Sequence, residues 1–178
     1  MSTTALLVID AQDGIVNDPD FPMFEPDALI ERINRLIDAF HQAHLPVVFI
    51  RHTEGEGSPL QQGLPGWELE ARLHVESDDV HINKTTPDSF LKTDLKAWLS
   101  KHAINDVVLC GLQTDYCVDT TTRSAFSHGI QVTLVEDAHS TCDSGTCLAK
   151  DIIAHHNRIL GSWFASVKST SDVLNTIH

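Results

Sequence analysis

Short apolar runs alternate along this chain with stretches of helical periodicity, and that alternation limits the fold more than any other feature. "ALLVID" (5–10), "VVFI" (47–50), "DDVHINK" (78–84), "DVVLCG" (106–111) and "IQVTLVED" (130–137) have the length of strands. Most are close to continuously apolar, as strands covered on both faces must be. Between Pro26 and Pro46, Leu29, Ile33, Leu36, Ile37 and Phe40 recur at helical spacing. Leu91, Leu95, Trp98 and Leu99 form a second stripe within 91–103. Further helices are expected from Cys117 to Gly129, within 145–165 and over 170–177, with an edge strand in "SWFASV". Strand and helix in alternation predict an α/β fold. Its core is an open, mostly parallel, Rossmann-like sheet of about six strands with helices on both faces. The 178 residues are read as a single domain over 1–178, long enough to bury a core without disulfides or metals. The Gly- and Pro-rich stretch 53–68 is expected to be a long surface loop, of the kind that forms lids.

The formal charge of −13 argues against nucleic acid or an anionic membrane as a partner, since both need a surplus of Lys and Arg. "MSTTALLVID" lacks a basic leader, and the sequence holds no run of 18 apolar residues, the length needed to span a bilayer, so no transmembrane helix is expected. Four cysteines in such a chain read as reduced thiols, so a cytoplasmic location is expected.

Open parallel sheets bind ligands beyond the carboxyl ends of their strands. The polar residues there are Asp10 and Gln12 after the first strand, and Arg51 and His52 after the second. Lys84 ends the third, Gly111 to Cys117 follow the fourth, and Asp137 and His139 follow the fifth. Asp10 also fits a turn cap, and Lys84 a solvated surface lysine. Cys110 lies within a strand and reads as packing. Cys117 lies past a glycine break in the first turn of a helix, where the helix end favours the thiolate, with Thr114 as candidate N-cap. If the three strand ends converge, Asp10 can take the thiol proton and return it to a leaving amine while Lys84 balances both negative charges. The eleven histidines lack metal-ligand spacing, and "CDSGTC" (142–147) reads as a loop entering a helix.

These residues carry a resemblance. "LLVIDAQDG", "INKTTPDSFLKTDL" and "GLQTDYCVDTTTRSAFSHGIQVTLVEDAHST" resemble, in order, three segments of the isochorismatase-like cysteine hydrolases, a family that includes nicotinamidases and N-carbamoylsarcosine amidohydrolases. The resemblance implies a three-layer α/β/α sandwich that assembles into dimers or larger homo-oligomers. It implies Cys117 as nucleophile, Asp10 as general base and acid, and Lys84 as third member of a catalytic triad. It also implies a cis peptide at Leu112–Gln113, with an oxyanion hole from the amides of Gln113 and Cys117. Nicotinamidases carry a metal-binding Asp two residues before the histidine of the second strand end. Ile50 stands there in this chain, and the following loop has no second histidine. No metal and no cofactor are therefore expected. The expected activity is cysteine-dependent hydrolysis of an amide-type C–N bond in a small-molecule substrate, through a thioester. The alternatives are vinyl-ether hydrolysis, which needs no cysteine, and a non-catalytic or redox-thiol oligomeric scaffold. Gln12, His52, Trp67, Phe90 and Tyr116 are the candidates for the substrate pocket.

Overall fold

The first apolar run becomes β1 (Thr3–Ile9), which occupies the centre of a six-stranded sheet in this computed structural model. The structure describes residues 3–177; residues 1, 2 and 178, the ends of the expected domain, lie outside the described residues. On one side of β1 lie β2 (Val47–His52) and β3 (Val80–Lys84). On the other lie β4 (Ile104–Leu112), β5 (Gln131–Ser140) and the short edge strand β6 (Ser166–Lys168). The order is β3-β2-β1-β4-β5-β6, and every pairing is parallel.

The pleat sends alternate β1 side chains to opposite faces, so each face builds its own core. Leu6 and Val8 pack with Val108 and Cys110 against α2 (Pro26–Gln42) and α6 (Thr170–Leu174). Ala5, Leu7 and Ile9 pack with Val107 and Leu109 against α3 (Leu95–Lys101), α4 (Asp119–Ser127) and α5 (Ala149–Trp163). This is the three-layer α/β/α sandwich that the sequence predicts. A single turn of helix, α1 (Asp13–Val16), follows β1 at the edge of the site.

Among the boundaries that differ from the sequence reading are the starts of α3 and β3. α3 starts at Leu95, not at 91. The Asp88 side chain accepts from the Phe90 amide at 2.8 Å and Thr93 Oγ1 bonds Ser89 O, so side chains stabilise turns there in place of a helix. Leu91 is consequently exposed. β3 starts at Val80, because Asp79 Oδ2 instead closes a turn by accepting from the Glu76 amide.

β1 and β4 approach closely at their carboxyl ends, where Ile9 pairs with Gly111. Gly111 has φ 118°, and a Cβ there would lie 2.6 Å from Ile9 N and closer still to Ile9 O. No side chain fits, because both obstacles are backbone. Gly129 also has a positive φ (75°), with nothing within 4 Å of its would-be Cβ. Gly111→Ala is expected to cost about 3 kcal/mol or more, from overpacking added to backbone strain. Gly129→Ala should cost only about 1 kcal/mol, the conformational penalty alone. Urea unfolding midpoints of the two variants check this ordering.

Candidate active site

Strand order places β1, whose successor is β2, beside β4, which starts the return half of the sheet. Such a switch point opens a crevice between two strand ends. A cavity of about 550 Å³ lies there, lined among others by Asp10, His52, Gln113, Tyr116 and Cys117. Part of the loop 53–79 forms one wall, through Glu54, Ser58, Pro59 and Leu60.

Local backbone geometry aims the polar side chains. Asp10 leaves β1 with φ 49°, a left-handed conformation that Asp tolerates better than most residues. Its amide donates to Ile50 O, and its carbonyl accepts from Gln12 N, both at 2.8 Å. At the end of β4 the Leu112–Gln113 peptide is cis. The chain then forms a π-helical turn over Thr114–Val118, with Gln113 O accepting from Tyr116 N at 3.2 Å and Val118 N at 3.1 Å. π-turns of this kind are frequent at functional sites. This one continues directly into α4 and carries Cys117 over the cavity.

Lys84 joins the pieces. It ends β3, two strands away from β1, and its stem is fully buried. Its ammonium donates to Asp10 Oδ2 at 2.6 Å and to Cys117 Sγ at 3.1 Å, and lies 3.3 Å from His52 Nδ1. An ammonium has only donors, so His52 Nδ1 accepts and its proton sits on Nε2. Burial, with the nearby Lys84 charge, holds the His52 pKa below its ordinary value and keeps the ring neutral. Asp10, His52 and Cys117 also offer three metal-type donor atoms within 4.8 Å of one another. The ammonium already bonds all three, so a metal ion would have to displace it.

Burial raises the Asp10 pKa, and the Lys84 charge opposes that rise. Asp10 Oδ1 has no hydrogen-bond partner among the described residues. The Cys117 thiol is pushed up to about 12 by burial and by the Asp10 carboxylate, against the pull of Lys84. This corrects the thiolate expected from the helix end. Desolvation and a neighbouring carboxylate outweigh a partial helix charge, so the resting group is a neutral thiol beside an ion pair. Thr114 is not a side-chain cap either. Its hydroxyl bonds His139 Nδ1 at 2.8 Å, while His139 Nε2 meets Asn157 Oδ1 at 2.8 Å. Burial holds His139 down to about 4, so the ring is neutral, and this chain of bonds pins the π-turn from below.

The structure brings Asp10, Lys84, His52, Gln113, Tyr116 and Cys117 together, and leaves three expected pocket residues outside the cavity. Gln12 is buried and fully committed: its amide nitrogen donates to His52 O and Trp67 O, and its oxygen accepts from His52 N. Trp67 is buried under the loop, with its indole nitrogen on Thr53 Oγ1 and the Arg51 guanidinium 3.9 Å over its ring. Phe90 packs in the α3–α4 core. Leu112 is buried beneath the turn, and Cys110 is an inert thiol inside the sheet, its pKa raised by burial. The sequence reading missed Asp18, Phe21, Met23 and Asp143, which also line the cavity. They sit in irregular segments after β1 and β5, and only their place beyond strand ends could have marked them.

Residues 4–150 match the Isochorismatase domain family. The chain is 30% identical over 181 residues to the uncharacterized isochorismatase family protein YddQ of Bacillus subtilis, covering 97% of this chain and 99% of that one. It is 30% identical to a streptothricin hydrolase of Streptomyces noursei, over 78% of this chain and 50% of the relative. It is 31% identical to nicotinamidase 3 of Arabidopsis thaliana, over 77% of this chain and 73% of the relative. The crystal structure of an isochorismatase family protein superimposes with a TM-score of 0.88 at 32% identity, covering 93% of this chain and 98% of that one. The fold, the family match and these relatives agree: the chain belongs to the isochorismatase-like cysteine hydrolase family.

Proposed function

We propose that this hydrolase cleaves an amide-type C–N bond of a small molecule, with Cys117 as nucleophile, Asp10 as proton carrier and Lys84 as fixed countercharge. The observation that carries the reading is the buried Lys84 ammonium, shared between the Asp10 carboxylate and the Cys117 sulfur on the cavity floor. The kinship to a nicotinamidase, an amide hydrolase by its name, supports the same bond class.

Cys117 Sγ attacks the carbonyl carbon while its proton passes to Asp10, whose unpartnered Oδ1 is the free acceptor. Raised basicity suits Asp10 to this task. The carbonyl oxygen takes the negative charge and accepts from the amides of Gln113 and Cys117. Asp10 returns the proton to the nitrogen, the C–N bond breaks, and ammonia or an amine leaves a thioester on Cys117. Water then gives a proton to Asp10 and attacks the thioester. The sulfur leaves, recovers that proton, and the acid departs. The ammonium, bonded to both Asp10 and Cys117, steadies whichever of carboxylate or sulfur is negative.

Cys117→Ala should lower turnover by ~10³-fold or more, because the residues act as a unit. Cys110→Ala should change packing alone. Ammonia release from a panel of primary amides, carbamoyl compounds and imides reads both, and retained turnover in Cys117→Ala would overturn the mechanism.

The pH profile carries a sign. The competent state needs an ionised Asp10 and a neutral Cys117. Since burial raises Asp10, kcat/KM should fall in acid through a pKa above the usual Asp value of about 3.9. With the thiol near 12, the rate should stay level from roughly pH 7 to 9. A rate that climbs through that interval would instead indicate a titrating thiol as the working nucleophile.

A further inference from the structure

The cavity walls carry charge that the reaction does not use. Besides Asp10, its lining includes the carboxylates of Asp18, Glu54 and Asp143 and, among the described residues, no Lys or Arg. Lys84 lies beneath the floor, already matched by Asp10. The three wall carboxylates are held by neutral donors, which fix them without cancelling their charge. Asp18 Oδ1 accepts from the amides of Asp20 (2.9 Å) and Phe21 (3.3 Å), Asp143 Oδ1 from Ala149 N at 2.8 Å, and Glu54 Oε2 from Ser58 Oγ at 2.5 Å. Among the described residues none of the three forms an ion pair with Lys or Arg, and the imidazole 3.6 Å from Glu54 is the neutral His52. Asp18 and Asp143 act on the same spot from different segments, since both raise the pKa of Cys142, another lining residue.

Most of the remaining wall is apolar or aromatic, with His52, Ser58, Gln113 and Ser144 as neutral polar groups. Phe21 and Tyr116 line the cavity and are each more than half exposed, whereas Met23 is buried and Leu60 half-buried. Aromatic faces beside carboxylates attract cations and repel anions. Meanwhile the buried, unpartnered Asp10 Oδ1 shows where the reacting end of a ligand must reach.

Building on the amide-hydrolase reading, we propose that the substrate is a small amide bearing a protonated amine. Its amide group meets Cys117 on the floor. An aliphatic connector lies along Met23 and Leu60. The ammonium rests among the wall carboxylates and the aromatic rings. Amides bearing a carboxylate are disfavoured by the same field.

A series matched in length tests this: 6-aminohexanamide (cation), heptanamide (neutral) and adipamate (the anionic mono-amide). Ammonia release by the wild-type protein gives kcat/KM, and calorimetric titration of Cys117→Ala gives affinity without chemistry. The cation should exceed the neutral amide about ten-fold in kcat/KM and in affinity, and the anion by more, as expected for a unit charge near solvent-exposed carboxylates. The preference should shrink at high salt. It should also shrink in the Asp18→Asn/Asp143→Asn double variant, whose amides keep the turn and cap bonds but not the charge. Equal or better hydrolysis of heptanamide or adipamate would overturn the charge preference and leave the hydrolase reading intact. Tightest, salt-dependent binding of 6-aminohexanamide with no turnover of any amide would sustain the preference and overturn the hydrolase reading. Failure of Cys117→Ala to bind 6-aminohexanamide more tightly than heptanamide would overturn the proposal.

Discussion

The buried ion pair between Lys84 and Asp10 is the constraint around which the site is built. Both side chains are almost wholly out of water, a placement that costs several kcal/mol per ion unless geometry and further hydrogen bonds offset it. Lys84 has three acceptors around its three donors, so the offset is nearly complete on its side. Asp10 is satisfied through one oxygen only. That asymmetry leaves one strong acceptor buried and free on the cavity floor, next to a thiol that is neutral at rest. A buried pair missing one partner is strongly destabilising, so the three strand ends must close together for the pair to exist at all.

The backbone departs from regular geometry where that closure happens. Asp10 is left-handed, Gly111 occupies a space no Cβ can share, and the chain after Gln113 winds into a π-turn. Local irregularity of this kind gathers at functional sites because the surrounding fold enforces it. Here the enforcement is visible in particular residues. Gln12 ties the end of β2 to the loop at the Trp67 carbonyl, and the Asn157–His139–Thr114 chain holds the π-turn from the α5 side. β5 accommodates this by a register shift: Leu109 faces Leu134, yet Gly111 faces His139. Among the described residues no helix is long and apolar enough to cross a membrane.

Much of this was legible in the chain before folding. The four central strands fall where short apolar runs predict them, since a parallel strand buried on both faces has little choice but to be apolar along its length, and the edge strands β3 and β6 overlap the segments expected for them. The ends of those strands named Asp10, His52, Lys84 and Cys117 in advance, because chemistry in such sheets collects at the carboxyl edge. Elements whose ends depend on side-chain competition were less legible. Asp88 and Thr93 delay α3 by four residues, and no periodicity rule registers such bonds. Gln12, Trp67 and Phe90 were misleading because a polar or aromatic residue near a site can equally be the scaffold that holds it.

Hydrophobic period and residue chemistry are properties of the chain alone, so the layer architecture and the polar groups that meet at the candidate site could be named before folding. Which groups face each other, and in what protonation state, depends on contacts between distant segments. The thiol is neutral because folding strips its water and sets a carboxylate beside it, and neither event is local. The acidic wall is tertiary in the same sense. Asp18, Glu54 and Asp143 come from segments separated by 36 residues or more of chain, and they act as one field only after the loops beyond β1, β2 and β5 converge on a single cavity.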